Sequence, residues 1–524
     1  MNSFRHPCDE GVVNSAPETA SAAAKNGVWI LAATIIGSSI TFIDGTVINV
    51  ALPILQEKLN ASVTEVQWIV EAYALMLSAL ILAGGALGDK FGRRLIFSIG
   101  VIIFTIGSLW CGLVSSAAPL IVARAVQGVG AALLVPGSLA IISATFPKKQ
   151  RGRAIGTWSG FTAISAGFGP VLGGWLIENI SWRWIFFINL PLAIIVLLIC
   201  WRYVPESRDP DAKAGLDITG VLLVTIGLGG VVFGLTESGA RGFSDSVVLG
   251  SFAAGAAALA VFVVVEMRSR HPMLPFGLFR SRTFLGANLL TLMLYAALGG
   301  ILFFLPFNLL QIQNYSATAA GAALLPFVLT MFFLSRWSGG LVDKFGAKLP
   351  LVVGPVITGT GFALFALPGA DASNYWTSFF PAIMVMSLGM TISVAPLTTT
   401  VMGAVDERHA GVASGINNAV SRTASLLAIA IFGTVMLMAF NNSLEQKMNA
   451  PELSAEVRTH LAEQKNRLGN IEISGVPSEE TRAQVAAAVK GSFVTGFRTI
   501  AFLAAGMAFV AGLCSLIFIE SKRL

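Results

Sequence analysis

The stretch "LGDKFGRRLIF" (Leu87–Phe97) decides how this chain is read. Asp89, Lys90, Arg93 and Arg94 are crowded together, with an apolar run long enough to cross a bilayer on each side. Much further along, "LVDKFGAKLPL" (Leu341–Leu351) repeats the pattern between two more apolar runs. A charged turn that recurs between apolar spans points to a membrane protein built from a duplicated unit.

Composition agrees. Of 524 residues, 55% are hydrophobic and 12% charged, about half the charge of a soluble domain. Mean hydropathy is +0.76. The fold expected is an all-α membrane protein of about fourteen transmembrane helices, with apolar spans near 28–53, 66–87, 95–115, 119–146, 154–177, 184–204, 215–236, 247–267, 284–311, 317–341, 349–369, 376–403, 411–440 and 493–519. The net charge of +6 is explained by loop charges that set orientation, and no basic patch interleaved with base-stacking aromatics argues for nucleic acid. Cys8, Cys111, Cys200 and Cys514 are scattered, as are the four histidines, so neither a metal site nor a cofactor is expected.

Loops after even-numbered spans carry "KFGRR", "KKQRGR" and "DKFGAK", whereas the other loops are nearly free of Lys and Arg. The asymmetry puts both termini in the cytoplasm. Residues 1–27, polar and alanine-rich, read as a cytoplasmic tail. Segment 441–492 mixes bases with many acids and reads as an extracytoplasmic loop holding an amphipathic helix over Pro451–Leu468 and a second helix from near Ser478.

The repeat has three matches in the same order. "NASVT" (Asn60–Thr64) pairs with "NYSAT" (Asn314–Thr318), Asp89-Lys90-Phe91-Gly92 with Asp343-Lys344-Phe345-Gly346, and "RGRAIG" (Arg151–Gly156) with Gly411, Ala413 and Gly415. Residues 28–204 then form one six-helix half and 284–519 the other, with two inserted helices over 215–267. Parallel halves with a midplane site between them describe a secondary transporter that rocks.

On these residues the chain resembles the major facilitator superfamily, in its fourteen-helix drug:proton antiporter branch. The resemblance implies that Gly88, Asp89, Gly92 and Arg93, with Asp343 in the second copy, form a conformational latch on the cytoplasmic side. Val342 and Ala347 depart from the pattern and imply a weaker second latch. Gly169, Pro170, Gly173 and Gly174 match the helix 5 motif of exporters, and "WRWIFFINLP" (Trp182–Pro191) is common in this branch.

In the first half three charged residues fall deep inside spans. Asp44 lies in "TFIDGTVINVALP", Glu71 in "QWIVEAYAL" and Arg124 in "IVARAVQGVGAA". Intramembrane ionisable groups are costly and usually functional. Counted along their helices, the three reach similar depth, so they are expected to cluster. Arg124 and Gln127 share a helix face. The resemblance assigns proton coupling to this set: a carboxylate beside an arginine keeps its charge, and parted from it takes up a proton. In the second half Arg422 lies in "GINNAVSRTAS" beside Asn417 and Asn418, with no acid at mid-depth. Asp44, Gln127, Asn417 and Arg422 are therefore the residues expected at a substrate cavity.

The function expected is proton-coupled export of small amphipathic organic compounds from a monomer in the bacterial inner membrane, with protons, membrane lipids and the substrate as its partners. The alternative in the same fold is a permease for one metabolite or vitamin, with import left open as its direction. An enzyme or receptor is disfavoured, since the sequence offers no catalytic triad, phosphate loop or metal cluster.

Overall fold

The computed structural model describes residues 18–208, 217–269, 274–372, 374–405, 410–448, 461, 464–472 and 478–520. Among the described residues thirteen helices are long and apolar enough to span a membrane, and a shorter apolar helix, Lys348–Leu364, lies in the second half. In chain order they are α1 (Glu18–Lys58), α2 (Val63–Phe91), α3 (Arg93–Leu113), α4 (Ala117–Thr145), α5 (Lys148–Asn179), α6 (Trp184–Tyr203), α7 (Ile218–Arg241), α8 (Ser246–Arg268), α9 (Arg282–Ile312), α10 (Ala317–Ser335), α11 (Lys348–Leu364), α12 (Phe380–Gly403), α13 (Ala410–Met448) and α14 (Glu479–Phe518). In hydrocarbon every backbone polar group must be paired within its own segment, which the helix achieves.

Polar residues at the span ends start the helices. Ser62 and Glu65 form a reciprocal capping box on α2. Asp217, Asp245, Ser281, Ser316 and Ser478 accept backbone N–H groups at the starts of α7, α8, α9, α10 and α14.

The duplication is visible in the backbone. Asn60 and Asn314 both adopt positive φ, at 52° and 55°, and so do Gly92 and Gly346, at 126° and 75°. The two pairs share one 254-residue offset (60 to 314, 92 to 346). Ser62 and Ser316, at the same offset, both cap a helix. Three non-helical details recurring in register carry the duplication beyond sequence identity.

Some boundaries differ from the expectation. Alanine-rich residues of the expected tail are good helix formers, and α1 already begins at Glu18. Within the expected loop 441–492, α13 runs on to Met448 and α14 starts at Glu479. The expected helix over Pro451–Leu468 lies mostly outside the described residues, and its far end is a 3₁₀ turn, Lys465–Asn470. That turn packs on the protein: Leu468 is buried, and the Arg467 carbonyl accepts a hydrogen bond from Gln56 Nε2 at 3.0 Å.

The halves share a continuous core on one face, and nearer the other face they touch where α2 meets α13, Leu82 lying beside Gly415. The face bearing the 88–94 and 341–348 turns is called here the basic face. On the opposite face one apolar core runs continuously through both halves, joining Val47 and Leu52 to Phe304 and Met436. Nearer the basic face, the first half keeps a separate core around Phe97 and Phe104.

Candidate functional site

The site is built on α1, α4 and α6. Arg124 Nη1 donates to Asp44 Oδ2 at 2.6 Å and to Gln127 Oε1 at 2.7 Å, and Gln127 Nε2 donates to Asp44 Oδ1 at 2.8 Å. Asn189 Nδ2 donates to Ser108 Oγ at 2.9 Å and lies 3.4 Å from Asp44 Oδ1. Arg124 Nε donates to the Ile69 carbonyl, and its guanidinium lies over the Tyr73 ring, 4.3 Å from the centroid. Arg124 and Gln127 are fully buried and Asp44 is 3% exposed. The helix period brings Arg124 and Gln127 to one face of α4, turned to Asp44 on α1.

Glu71 does not join this cluster, which corrects the depth-based expectation. Equal depth says nothing of azimuth, and Glu71 lies on the side of α2 turned to the inserted helix α7. There its Oε2 accepts from Thr236 Oγ1 at 2.9 Å, while its Oε1 is buried without a partner.

Beside the cluster lies a cavity of about 390 Å³ between the halves. Phe42, Tyr73, Tyr295, Phe303, Asn418 and Arg422 are among its walls. The charged residues among the walls are two arginines, Arg124 and Arg422. Arg422 has no ion pair among the described residues, and its Nε is buried without a hydrogen-bond partner.

Three expected cavity residues need correction. Asp44 and Gln127 are consumed by the Arg124 cluster behind the wall. Asn417 turns to α9, donating to Thr291 Oγ1 at 2.6 Å and Asn288 Oδ1 at 3.2 Å. Its neighbour Asn418 faces the cavity instead, because adjacent helical residues point about a quarter-turn apart.

The helix 5 motif sits where the halves close. A side chain at Gly174 would collide with the Ala317 carbonyl of α10, and one at Gly321 with the Pro170 carbonyl of α5. Only glycine permits this approach. Gly169 and Gly173 lie against Thr46 and Val47 of α1. One turn beyond, the Glu178 carboxylate accepts from the Thr318 backbone N–H at 2.9 Å and its hydroxyl at 2.5 Å, capping α10 across the seam. Gln56 with Gln311 (2.9 Å) and Gln67 with the Ile429 carbonyl (2.9 Å) add cross-half bonds on this face. Towards the basic face the halves part: Gly156 and Gly160 of α5 have open space beside them. Apart from the α2–α13 seam, the molecule is therefore closed on the opposite face and open towards the basic face.

At the basic face Asp89 is bonded to Arg93, at 2.8 Å and 2.9 Å, within its own turn. Gly88 gives its carbonyl to the Gly92 N–H, and Gly92 at φ 126° ends α2. Helix α3 starts behind a glycine that has no side chain to cap it. Glu206, after α6, supplies the cap by accepting from the Arg94 and Leu95 N–H groups at 3.0 Å and 3.1 Å. Asp343 in the second copy is exposed and makes no ion pair among the described residues.

Glu178, Glu206, Asn189 and Tyr73 escaped sequence reasoning. Asn189 was the most legible, a polar residue inside the apolar run of α6.

Two helical halves that close over a central, mainly apolar cavity carrying a few polar groups and two arginines have the architecture of a solute transporter. The sequence pattern described as Major Facilitator Superfamily matches residues 34–429. The multidrug resistance protein Stp of Mycobacterium tuberculosis (strain CDC 1551 / Oshkosh) is 33% identical over 421 residues, 79% of this chain and 77% of that protein. The tetracenomycin C resistance and export protein of Streptomyces glaucescens is 29% identical over 98% of this chain and 95% of its own. The puromycin resistance protein pur8 of Streptomyces alboniger is 32% identical over 82% and 86%. In fold, the chain matches a bacterial homologue of the human lysosomal transporter Spinster, with a TM-score of 0.64 at 18% identity, over 95% of this chain and 98% of that one. The chain belongs to the major facilitator superfamily.

Proposed function

We propose that this protein is a proton-coupled exporter of small amphipathic organic compounds. Efflux is supported by relatives named for multidrug resistance and for resistance to or export of tetracenomycin C and puromycin. In this reading the protein works as a monomer in the bacterial inner membrane. The basic face is cytoplasmic, with exposed Lys90 and Lys344 against anionic headgroups, and the conformation seen opens to the cytoplasm.

One observation carries the coupling: the Asp44–Arg124 pair is sealed from solvent yet Arg124 reaches the cavity wall. Closing the basic face and opening the Glu178 seam requires the two halves to rock. A rearrangement that draws Arg124 from Asp44 leaves a buried charge without its counter-ion, and taking up a proton removes that penalty. On return, Arg124 displaces the proton and restores the bonds seen here. Asp89, bonded within its own turn in this open state, is free to latch onto the facing half when the basic face closes. Glu71, held by Thr236, is a second protonatable group apart from the cavity.

Arg422 shapes the choice of substrate. A dication would meet two arginines and no acid among the cavity walls, so neutral, zwitterionic or weakly anionic amphipaths fit best. The decisive experiment is proteoliposome efflux of a dye under an imposed proton gradient with Asp44→Asn. Binding without gradient-driven transport supports the assignment, and active transport by the variant refutes it.

A further inference from the structure

A second cavity of about 310 Å³ lies behind the seam between α2 and α13. Its walls include Leu82 on α2, Val224 and Leu228 on α7, Phe262 on α8 and Val420 on α13. The inserted pair α7–α8 thus forms its outer wall, and α8, mostly exposed, stands between it and the membrane. The surface of this chamber is overwhelmingly apolar.

Ser78 stands between the two spaces. It lines both the chamber and the central cavity. It is 7% exposed, and its Oγ is buried with no hydrogen-bond partner. Serines and threonines elsewhere in these helices, such as Thr105, Thr145 and Thr358, donate back to the carbonyl one turn earlier. An unpaired buried hydroxyl is expensive unless something completes it. On the far side of Ser78 the central cavity offers Arg422, Tyr73 and Asn418.

We propose that the chamber is a tail subsite, which takes the alkyl or aryl tail of an elongated amphipath whose polar head lies beside Arg422. The Ser78 hydroxyl binds an ester, amide or ether link at the neck. The two inserted helices thereby acquire a binding role: they cover, from the lipid side, part of a pocket that α2, α9 and α13 alone would leave more open. The proposal rests on the transporter reading and specifies the substrate within it.

The test uses the full chain in nanodiscs and fluorescein as its methyl and hexyl esters, which are both monoanions at neutral pH. In the wild type the hexyl ester binds about tenfold or more tighter, as expected for several methylenes leaving water. Leu228→Trp, which fills the chamber, abolishes that preference and leaves methyl ester binding within about twofold. Leu228→Ala, which enlarges it, improves binding of an octyl ester, a gain that misfolding cannot produce. Ser78→Ala weakens both esters by a similar few-fold factor, since both carry the linkage. Equal affinity of the esters in the wild type, or a tail preference untouched by Leu228→Trp, overturns the proposal. So does a phospholipid that stays in the chamber at one per protein and is not displaced by the hexyl ester. Proton-driven transport of the methyl ester is measured in parallel: its absence refutes the exporter reading, while tail-dependent binding still reports on the chamber.

Discussion

The two six-helix halves share a fold and a backbone register but carry opposite polar designs. In the first half the intramembrane charge is answered: Asp44 is held by Arg124 and Gln127, with Asn189 beside it. In the second half Arg422 faces the cavity without a carboxylate. At the 254-residue offset of the repeat, Leu298 stands where Asp44 does. The turns at the basic face diverge in the same way, Asp89 being paired and Asp343 having no ion pair among the described residues. Duplication supplied two equivalent scaffolds. In the proposed cycle one half holds a switchable ion pair and the other a substrate-facing cation, which would divide coupling and recognition between them.

The largest test of that division is Asp44→Asn, which should lower gradient-driven efflux by about 100-fold or more, as removal of a buried pair's partner leaves Arg124 uncompensated. The protein should still insert and bind dye, as read by fluorescence quenching in nanodiscs. An effect of equal size on binding would place Asp44 in recognition and erase the contrast between the halves.

Arg422→Ala should leave proton-driven transport in place and change what is carried. Competition between matched mono- and dicationic dyes should shift towards the dication by roughly tenfold, as one unscreened like charge leaves the cavity. Selectivity that stays fixed would mean Arg422 does not meet the substrate.

Smaller effects are expected at the turns. Asp89→Asn should move the population further towards the state open on the basic face, while Asp343→Asn should do less. Spin-label distances between the α2–α3 and α10–α11 turns measure both. Equal shifts would make the two turns equivalent after all. Glu71→Gln should cost least, a several-fold loss of transport rate at most, because its one hydrogen bond among the described residues is to Thr236. A loss matching that of Asp44→Asn would extend the coupling machinery to α7.

The lipid-exposed architecture was legible without coordinates. Span length, loop charge and the recurring Asp-Lys-Phe-Gly turn are one-dimensional signals, because hydrocarbon thickness and backbone pairing constrain each helix separately. Asp44, Arg124 and Arg422 stood out for the same reason, each being a charge where the solvent forbids one without a purpose. What sequence alone left open was azimuth and partnership. Glu71 turns to α7 and Asp44 to α4; Asn418 faces the cavity while Asn417 bonds to α9. Glu178 caps α10 from the end of α5, and Glu206 caps α3 from beyond α6. These depend on how helices far apart in sequence rotate and approach, which small-residue packing and cross-half hydrogen bonds set together. Only the tertiary structure brings Ser78, α7 and α13 to one seam, because no local periodicity encodes which helix an inserted hairpin will cover.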